Sequence, residues 1–376
     1  MTPTQIIVLA TPVFLLLMAL EFAVGRARGH NTYRLGDTLN SVGLGMLNQL
    51  AAVFSRVLST GLYTWVFGHV ALFDLPVDAW WVWVGGLLLY DLAYYWHHRL
   101  GHTVAFFWAA HVVHHQSEDY NLGTALRQTG SGWVGGWLFY LPLAVLGVPP
   151  LVFGVVALVD LLYQFWVHTQ QVGRLGRFDR WFCSPSNHRV HHAVNDAYLD
   201  KNYGGILMLW DHLFGSFTDE RDDDPCVYGT RSPLRSHDPL RANLQVWADL
   251  AHDSWHTRAW GDKLRVWCKP PGWRPADVAA RWPKPAFDLA QARQKYDPVV
   301  PPGRQAAAAL VFVGALLLTS VLLWWAHTLS LGVQLALAAG VLALLWTVGR
   351  LTSGGTPHPL ETPRPRTASD TAAPGD

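Results

Sequence analysis

Apolar runs of membrane-spanning length that end directly in histidines limit most strongly how this chain can fold. "YYWHHRLGHTVAFFWAAHVVHHQSEDYN", residues 94–121, leaves one such run and meets six histidines. About 20 apolar residues cross the about 30 Å of hydrocarbon in a bilayer. Segments 6–24, 42–67, 80–96, 133–148, 150–167, 306–326 and 331–349 all qualify as candidates. Segments 133–148 and 150–167 meet at "GVPP" (147–150), a tight break that predicts a hairpin dipping through much of the bilayer. Inside lipid every backbone N–H and C=O must be paired within the segment, which favours helices. The expected fold is therefore all-α, a polytopic integral membrane helical protein with its histidines at one face.

Composition agrees. Of 376 residues, 51% are hydrophobic and only 15% charged, with 20 tryptophans, against about 25% charge in soluble domains. The formal net charge is +1 and the basic residues are scattered, so no nucleic-acid partner is expected. Cys183, Cys226 and Cys268 stand apart, which speaks against a disulfide framework or a thiolate zinc site.

Arginines set the expected orientation. If all seven segments cross, Arg26, Arg28, Arg34, Arg99, Arg174, Arg177, Arg304 and Arg350 share one side, while "HVALFDLPVD" between the second and third segments has neither Lys nor Arg. The positive-inside rule makes the basic side cytoplasmic. Residues 97–130, 168–200 and 201–303 would all emerge there. The expected organisation is 1–79 as amino-terminal membrane helices, 80–220 as the histidine-bearing domain and 221–303 as a cytosolic cap. A transmembrane hairpin at 304–350 and a disordered tail at 351–376, rich in Pro, Thr and Ala, complete it.

His98 and His102 stand at i and i+4, one face of a helix. His111, His114 and His115 follow with H-x-x-H-H spacing, and His188, His191 and His192 repeat it in "SPSNHRVHH". Ser184 and Pro185 predict an N-cap and first helical residue just before the last cluster. His168 closes the fifth segment at the same face and is read as a ninth ligand, the alternative being a donor to a ligand. His97 lies off the His98/His102 face and is left as a neighbour, and His212 is ambiguous. His30, His69, His252, His256 and His327 read as interfacial polar residues. Eight or nine histidines exceed a single structural zinc site, which takes four ligands, and point to two ions. Imidazole suits zinc, copper, iron and nickel alike, so ligand type does not choose the metal.

Acidic residues beside the clusters are candidates to accept the other N–H of a ligand histidine. Asp91 lies within an apolar segment, where an ionisable group needs a partner. Asp91, Glu118, Asp119 and Asp160 are the candidates, with Glu118 and Asp91 assigned to the catalytic site. Asp211 is expected to hold a cap helix. Trp96, Phe106, Phe107 and Trp108 are read as core packing, with lining of a lipid passage as the other role.

The spacing H-x-x-x-H, H-x-x-H-H, H-x-x-H-H resembles the fatty acid hydroxylase/sterol desaturase superfamily over about residues 80–220. "NYGGILMLWDHLFGSF" (202–217) is also similar to that family's stretch after the last cluster. "HHQSEDYNLGTALRQ" (114–128), "LLYQFWVHT" (161–169) and residues 184–217 narrow the likeness to its glyceryl-ether monooxygenases. The chain departs from the animal members at Thr103, where they carry Glu, and at Asn187, where they carry His.

The resemblance implies a non-haem di-iron centre held by His98, His102, His111, His114, His115, His188, His191 and His192, with His168. It further implies use of O2, and tetrahydrobiopterin or another electron donor. The implied reaction hydroxylates the carbon next to the ether oxygen of an O-alkylglycerol, giving a hemiacetal that collapses to a fatty aldehyde and a glycerol derivative. The alternatives are a hydroxylase or desaturase of a sterol-like, fatty acyl or aminolipid substrate and, in another class, a histidine-rich metal transporter. No H-E-x-x-H protease motif or G-x-S-x-G hydrolase elbow occurs.

Overall fold

A computed structural model describes residues 2–353. The tail expected to be disordered lies, from residue 354 on, outside the described residues. Among the described residues the secondary structure is helical, with two isolated β-bridges, Phe182 to Leu207 and Ala193 to Tyr228.

Helix α1 (Pro3–Ala27) starts on a Thr2–Gln5 capping box with Pro3 in its first turn. Those groups satisfy donors that a helix start leaves unpaired. Next come α2 (Leu35–Arg56), a π-helical turn at Val57–Gly61, and α3 (Leu62–Val70). Helix α4 (Trp80–Thr103) carries the first histidines and α5 (Ala105–His115) the second set. After α6 (Leu122–Ala125), a 3-10 turn at Gly136–Tyr140 leads into α7 (Leu141–Val145) and α8 (Pro150–Trp166). Helix α9 (Pro185–His191) bears the third cluster and is followed by α10 (Leu209–Phe214). Four helices, α11 (Pro239–His256), α12 (Trp260–Cys268), α13 (Ala276–Arg281) and α14 (Leu289–Ala292), form the segment read as a cap. Helices α15 (Pro302–Trp325) and α16 (Leu331–Thr352) pair closely and pack on α2.

Three helices, α1, α15 and α16, are long and apolar enough to cross a membrane. Of the seven candidate segments, 6–24, 306–326 and 331–349 form helices of that length and composition. Segment 42–67 is divided by the π turn, and 133–148 becomes a 3-10 turn and a five-residue helix. Gly135, Gly136 and Pro142 explain the second case, because glycine and proline both disfavour a helix interior. Helix α8 has only 17 residues, and α4 carries Asp91 and three histidines. The break at "GVPP" is real. Gly147 has φ +87°, and a Cβ there would fall 1.9 Å from the Phe73 carbonyl oxygen.

Two apolar cores flank the histidines. One joins Met18, Leu44, Val113, Ala315 and Val341 of α1, α2, α5, α15 and α16. The other joins Tyr63, Val82, Tyr90 and Val152 of α3, α4 and α8. Burying these side chains, at about 25 cal/mol per Å² of apolar surface, holds α4, α5 and α8 in place and brings their histidine-bearing ends together.

Candidate metal centre

The eight histidines singled out by spacing and His168 meet in two compact groups. His98, His102, His111, His115 and His191 form one; His114, His168, His188 and His192 form the other. Within each group one nitrogen per ring lies within 4.8 Å of all the others. The H-x-x-H-H spacing thus does not deliver one cluster to one group. On α5, His111 and His115 (i, i+4) face the first group while His114 turns to the second. On α9, His191 faces the first group while His188 and His192 (i, i+4) face the second. Each repeat divides its histidines because an α-helix advances 3.6 residues per turn. The capping box at Ser184 and Asn187 starts α9 as expected, with the Asn187 N–H donating to Ser184 Oγ at 3.3 Å. Asn187, one of the two departures from the animal pattern, therefore caps the helix. Thr103, the other, donates its hydroxyl to the Arg99 carbonyl at 2.9 Å.

Backbone carbonyls orient the rings. Nδ1 of His98 donates to Tyr203 O at 2.8 Å, His114 to Arg127 O at 2.8 Å, His168 to Gln164 O at 2.7 Å and His191 to Lys201 O at 3.0 Å. A carbonyl can only accept, so each of these Nδ1 atoms carries the proton and Nε2 is left with a bare lone pair. Nε2 of His98, His102 and His191 is buried with no partner among the described residues. In the second group Nε2 atoms approach one another: His168 to His114 at 3.2 Å, His188 to His168 at 3.1 Å and His192 to His188 at 3.2 Å. Two imidazoles bound side by side to one ion at about 2.0–2.1 Å have nitrogens about 3.0–3.4 Å apart. Converging lone pairs, orphaned buried nitrogens and this spacing together fit a metal ion in each group.

Burial also keeps the rings neutral. It pushes the His114 imidazole down to about 4 and that of His191 to about 3. His111, His115, His188 and His192 are pushed well below the ordinary range by burial and then by neighbouring histidines. Neutral imidazole is the form that binds metal.

The carboxylates behave differently from expectation. Asp91 receives no histidine N–H; it accepts from the backbone N–H of Ile206 (2.8 Å) and Leu207 (3.2 Å) and from Trp210 Nε1 (2.8 Å). Glu118 accepts from the Tyr296 backbone N–H. Asp119 pairs with Arg34 at 2.9 Å and Lys295 at 2.7 Å. Asp160 accepts from Gln164 Nε2. The acceptors used are carbonyls, which have no sequence signature. The nearest carboxylate to a histidine of the groups is Asp200, 3.8 Å from His102 Nδ1. Asp211, expected to hold a cap helix, instead fastens the backbone N–H groups of Tyr203 and Gly204 at 2.8 and 2.7 Å. That fixes the carbonyl on which His98 rests. His212 lies outside both groups, stacked on Phe217 and bonded to the Arg180 carbonyl.

Sequence reasoning missed Tyr120 and Arg127. Tyr120 is fully buried, stacks on His168 with ring centroids 5.6 Å apart, and donates to Val167 O at 2.9 Å. Arg127, 1% exposed, donates to Val113 O at 2.8 Å and so clamps the end of α5. Both fall in "HHQSEDYNLGTALRQ", the stretch that narrowed the resemblance.

A cavity of about 560 Å³ opens onto His98, His111, His114 and His168 and runs on between α1 and α15, past Phe14 and Leu316. Phe107 lines it. Trp96 packs on Phe214, Phe106 on Trp247, and Trp108 on His102 and His115, so these three are packing residues.

The fatty acid hydroxylase family model matches residues 83–216. A zebrafish (Danio rerio) alkylglycerol monooxygenase is 35% identical over 343 residues, 91% of this chain and 76% of the relative. The chain belongs to the fatty acid hydroxylase family, among the alkylglycerol monooxygenases. The human alkylglycerol monooxygenase is 40% identical over 267 residues, 71% of this chain. The aligned part spans 59% of that human protein and 64% of its Xenopus tropicalis counterpart. An ornithine lipid hydroxylase of Rhizobium tropici is 32% identical over 138 residues, 35% of this chain and 40% of the relative. No solved structure matches. Membership in this family and the three long apolar helices make the chain an integral membrane protein.

Proposed function

We propose that this chain is a membrane monooxygenase that cleaves the ether bond of O-alkylglycerols, with one iron ion in each histidine group. The observation that carries the reading is the cavity joining both groups to the space between α1 and α15. A lipid chain can lie among helices long enough to span a bilayer while its polar end meets the histidines. The names of the curated relatives supply the substrate class.

His98, His102, His111, His115 and His191 would hold one iron, and His114, His168, His188 and His192 the other. An iron pair, when bound, would supply oxygen activation and oxidation of the C–H bond next to the ether oxygen. The protein's part is to hold, orient and exclude water. Carbonyls of Tyr203, Arg127, Gln164 and Lys201 fix the ring orientations. The apolar lining from Phe14 to Leu323 holds the alkyl chain and keeps bulk water from the site. Hydroxylation next to the ether oxygen yields a hemiacetal, whose collapse releases a fatty aldehyde and a glycerol derivative. Tetrahydrobiopterin or another donor would supply electrons, and the arginine distribution supports a site facing the cytoplasm. Glu118 and Asp91, read from the sequence as catalytic carboxylates, serve in this proposal as supports for the walls of the site.

A metal transporter is less well supported, since transport sites lie at broken helices near the bilayer midplane, whereas these rings gather at helix ends in two closed groups. The test is to purify the protein, measure iron per chain, and assay an alkylglycerol with and without tetrahydrobiopterin. Aldehyde release dependent on iron and donor supports the proposal. No aldehyde from fully iron-loaded protein with either donor condition overturns ether cleavage.

A further inference from the structure

A second space, about 330 Å³, adjoins the main cavity on the side away from α1 and α15. The two share Asn48, His97, Thr129, Gly132 and Tyr140 in their linings. These residues form a neck, and its chemistry differs from that of the arm beyond it. Toward α1 and α15 the lining is carried by Phe14, Leu15, Leu316 and Leu323, and the hydroxyls of Thr11, Thr319 and Ser320 there are spent on carbonyls of their own helices. At the neck stand a carboxamide, an imidazole, a threonine hydroxyl and a phenol, groups that both donate and accept hydrogen bonds.

His97 is the centre of the neck. It stands one residue before His98, about 100° away around α4, so the His98 ring joins the first histidine group while the His97 ring faces the neck. Its ring is held by packing, 4.9 Å from Phe139 and 6.0 Å from Tyr140 between centroids. A Cβ on Gly136 would come within 3.3 Å of His97 Cε1 and Nε2, so any larger residue there would press on that ring. Among the described residues no side chain or carbonyl takes up the hydrogen-bonding capacity of this ring. Across the neck Asn48 Nδ2 donates to the Thr129 carbonyl at 2.7 Å, which pins the carboxamide and joins α2 to the loop after α6.

We infer that His97, Asn48 and Thr129 bind the hydroxyl-bearing headgroup of the lipid while its alkyl chain occupies the apolar arm. The inference rests on the ether-lipid reading and adds an orientation to it. In an alkylglycerol the headgroup hydroxyls lie only a few bonds from the ether oxygen. A headgroup held beside His97 therefore leaves the carbon next to that oxygen at the neighbouring His98 group. A lipid with the same ether bond and no hydroxyl would leave the His97 ring desolvated without a partner, which costs affinity. It would also offer nothing to the capacity that Asn48 and Thr129 keep beyond their bonds to Thr129 O and Ser131.

The test uses the full-length, iron-loaded protein in detergent, with hexadecylglycerol and hexadecyl methyl ether as probes. Binding is read by tryptophan fluorescence and turnover by aldehyde release. The wild type is expected to bind hexadecylglycerol about tenfold more tightly than the methyl ether. His97→Phe, which keeps a ring against Phe139, and Asn48→Leu should each remove most of that preference. Both should leave methyl ether binding and iron content unchanged. Equal affinity of the wild type for both probes, or a preference unchanged in both variants, overturns the headgroup assignment. The preference with its loss in the variants, but no aldehyde, leaves the assignment standing and removes ether cleavage.

Discussion

Nε2 of His114 lies 3.2 Å from Nε2 of His168, although the two residues are 54 positions apart. Each ring gives its Nδ1 proton to a carbonyl, Arg127 O or Gln164 O, so neither Nε2 carries one. No hydrogen bond can join them, and two lone pairs held this close in a buried site need a cation. The contact brings the residue just after α8 against α5 in a geometry that a metal ion would satisfy. His168→Ala is expected to lower iron per chain by about as much as His192→Ala, with His212→Ala unchanged, as read by elemental analysis. Retention of full iron by His168→Ala would remove His168 from the ligand set.

Removal of the Asp91 carboxylate should damage stability before chemistry. It leaves the buried N–H of Ile206 unpaired, at about 1–3 kcal/mol, together with the partly buried N–H groups of Leu207 and the Trp210 indole. Asp91→Ala is expected to lower the thermal midpoint by several degrees, and Asp91→Asn by less. Protein of either variant that retains iron should keep most of its activity, measured per iron. A variant with normal melting and no activity would instead make Asp91 catalytic.

Acid should destabilise the metal-free protein. Imidazoles held below the ordinary value of about 6.5 stay neutral in the fold, while the unfolded chain takes up protons first. Their contribution is present above about pH 6.5 and is lost as pH falls through that value. The loss continues toward the folded values, about 4 for His114 and about 3 for His191. Melting of metal-free protein between pH 8 and pH 5 should show a falling midpoint, and the iron-loaded form should release metal on the same side. A midpoint that rises on acidification contradicts the buried, neutral histidines.

Narrowing the apolar arm should shorten the chains accepted. Leu316 lines the cavity on α15, and Leu316→Trp places an indole in the path of a long alkyl tail. Relative kcat/KM for octadecylglycerol over dodecylglycerol is expected to fall about tenfold, within the about 1–3 kcal/mol that a methylene contact is worth. An unchanged ratio would mean that the chain lies elsewhere.

The histidines were legible because metal ligation demands a residue type at helical spacing, and both signals are local. The N-cap at Ser184 and the break at "GVPP" were legible for the same reason. The number of membrane-length helices was less so. Apolar content in 42–67 and 133–148 reads the same whether it faces lipid or a protein core, and α2 and α7 bury theirs partly against other helices.

What the sequence by itself determined is the helical spacing of eight histidines, with His168 at the same face, and the resemblance that led to the family. Only the tertiary structure decided how the rings divide. Each H-x-x-H-H repeat sends its histidines to two different groups because α5 and α9 lie between them, and helical rotation turns neighbours apart. The acceptors that orient the rings were also beyond reach from sequence. Every residue has a carbonyl, and only the fold brings those of Tyr203, Arg127, Gln164 and Lys201 to the right four. For the same reason His97, one residue from His98, faces the neck of a cavity rather than either histidine group.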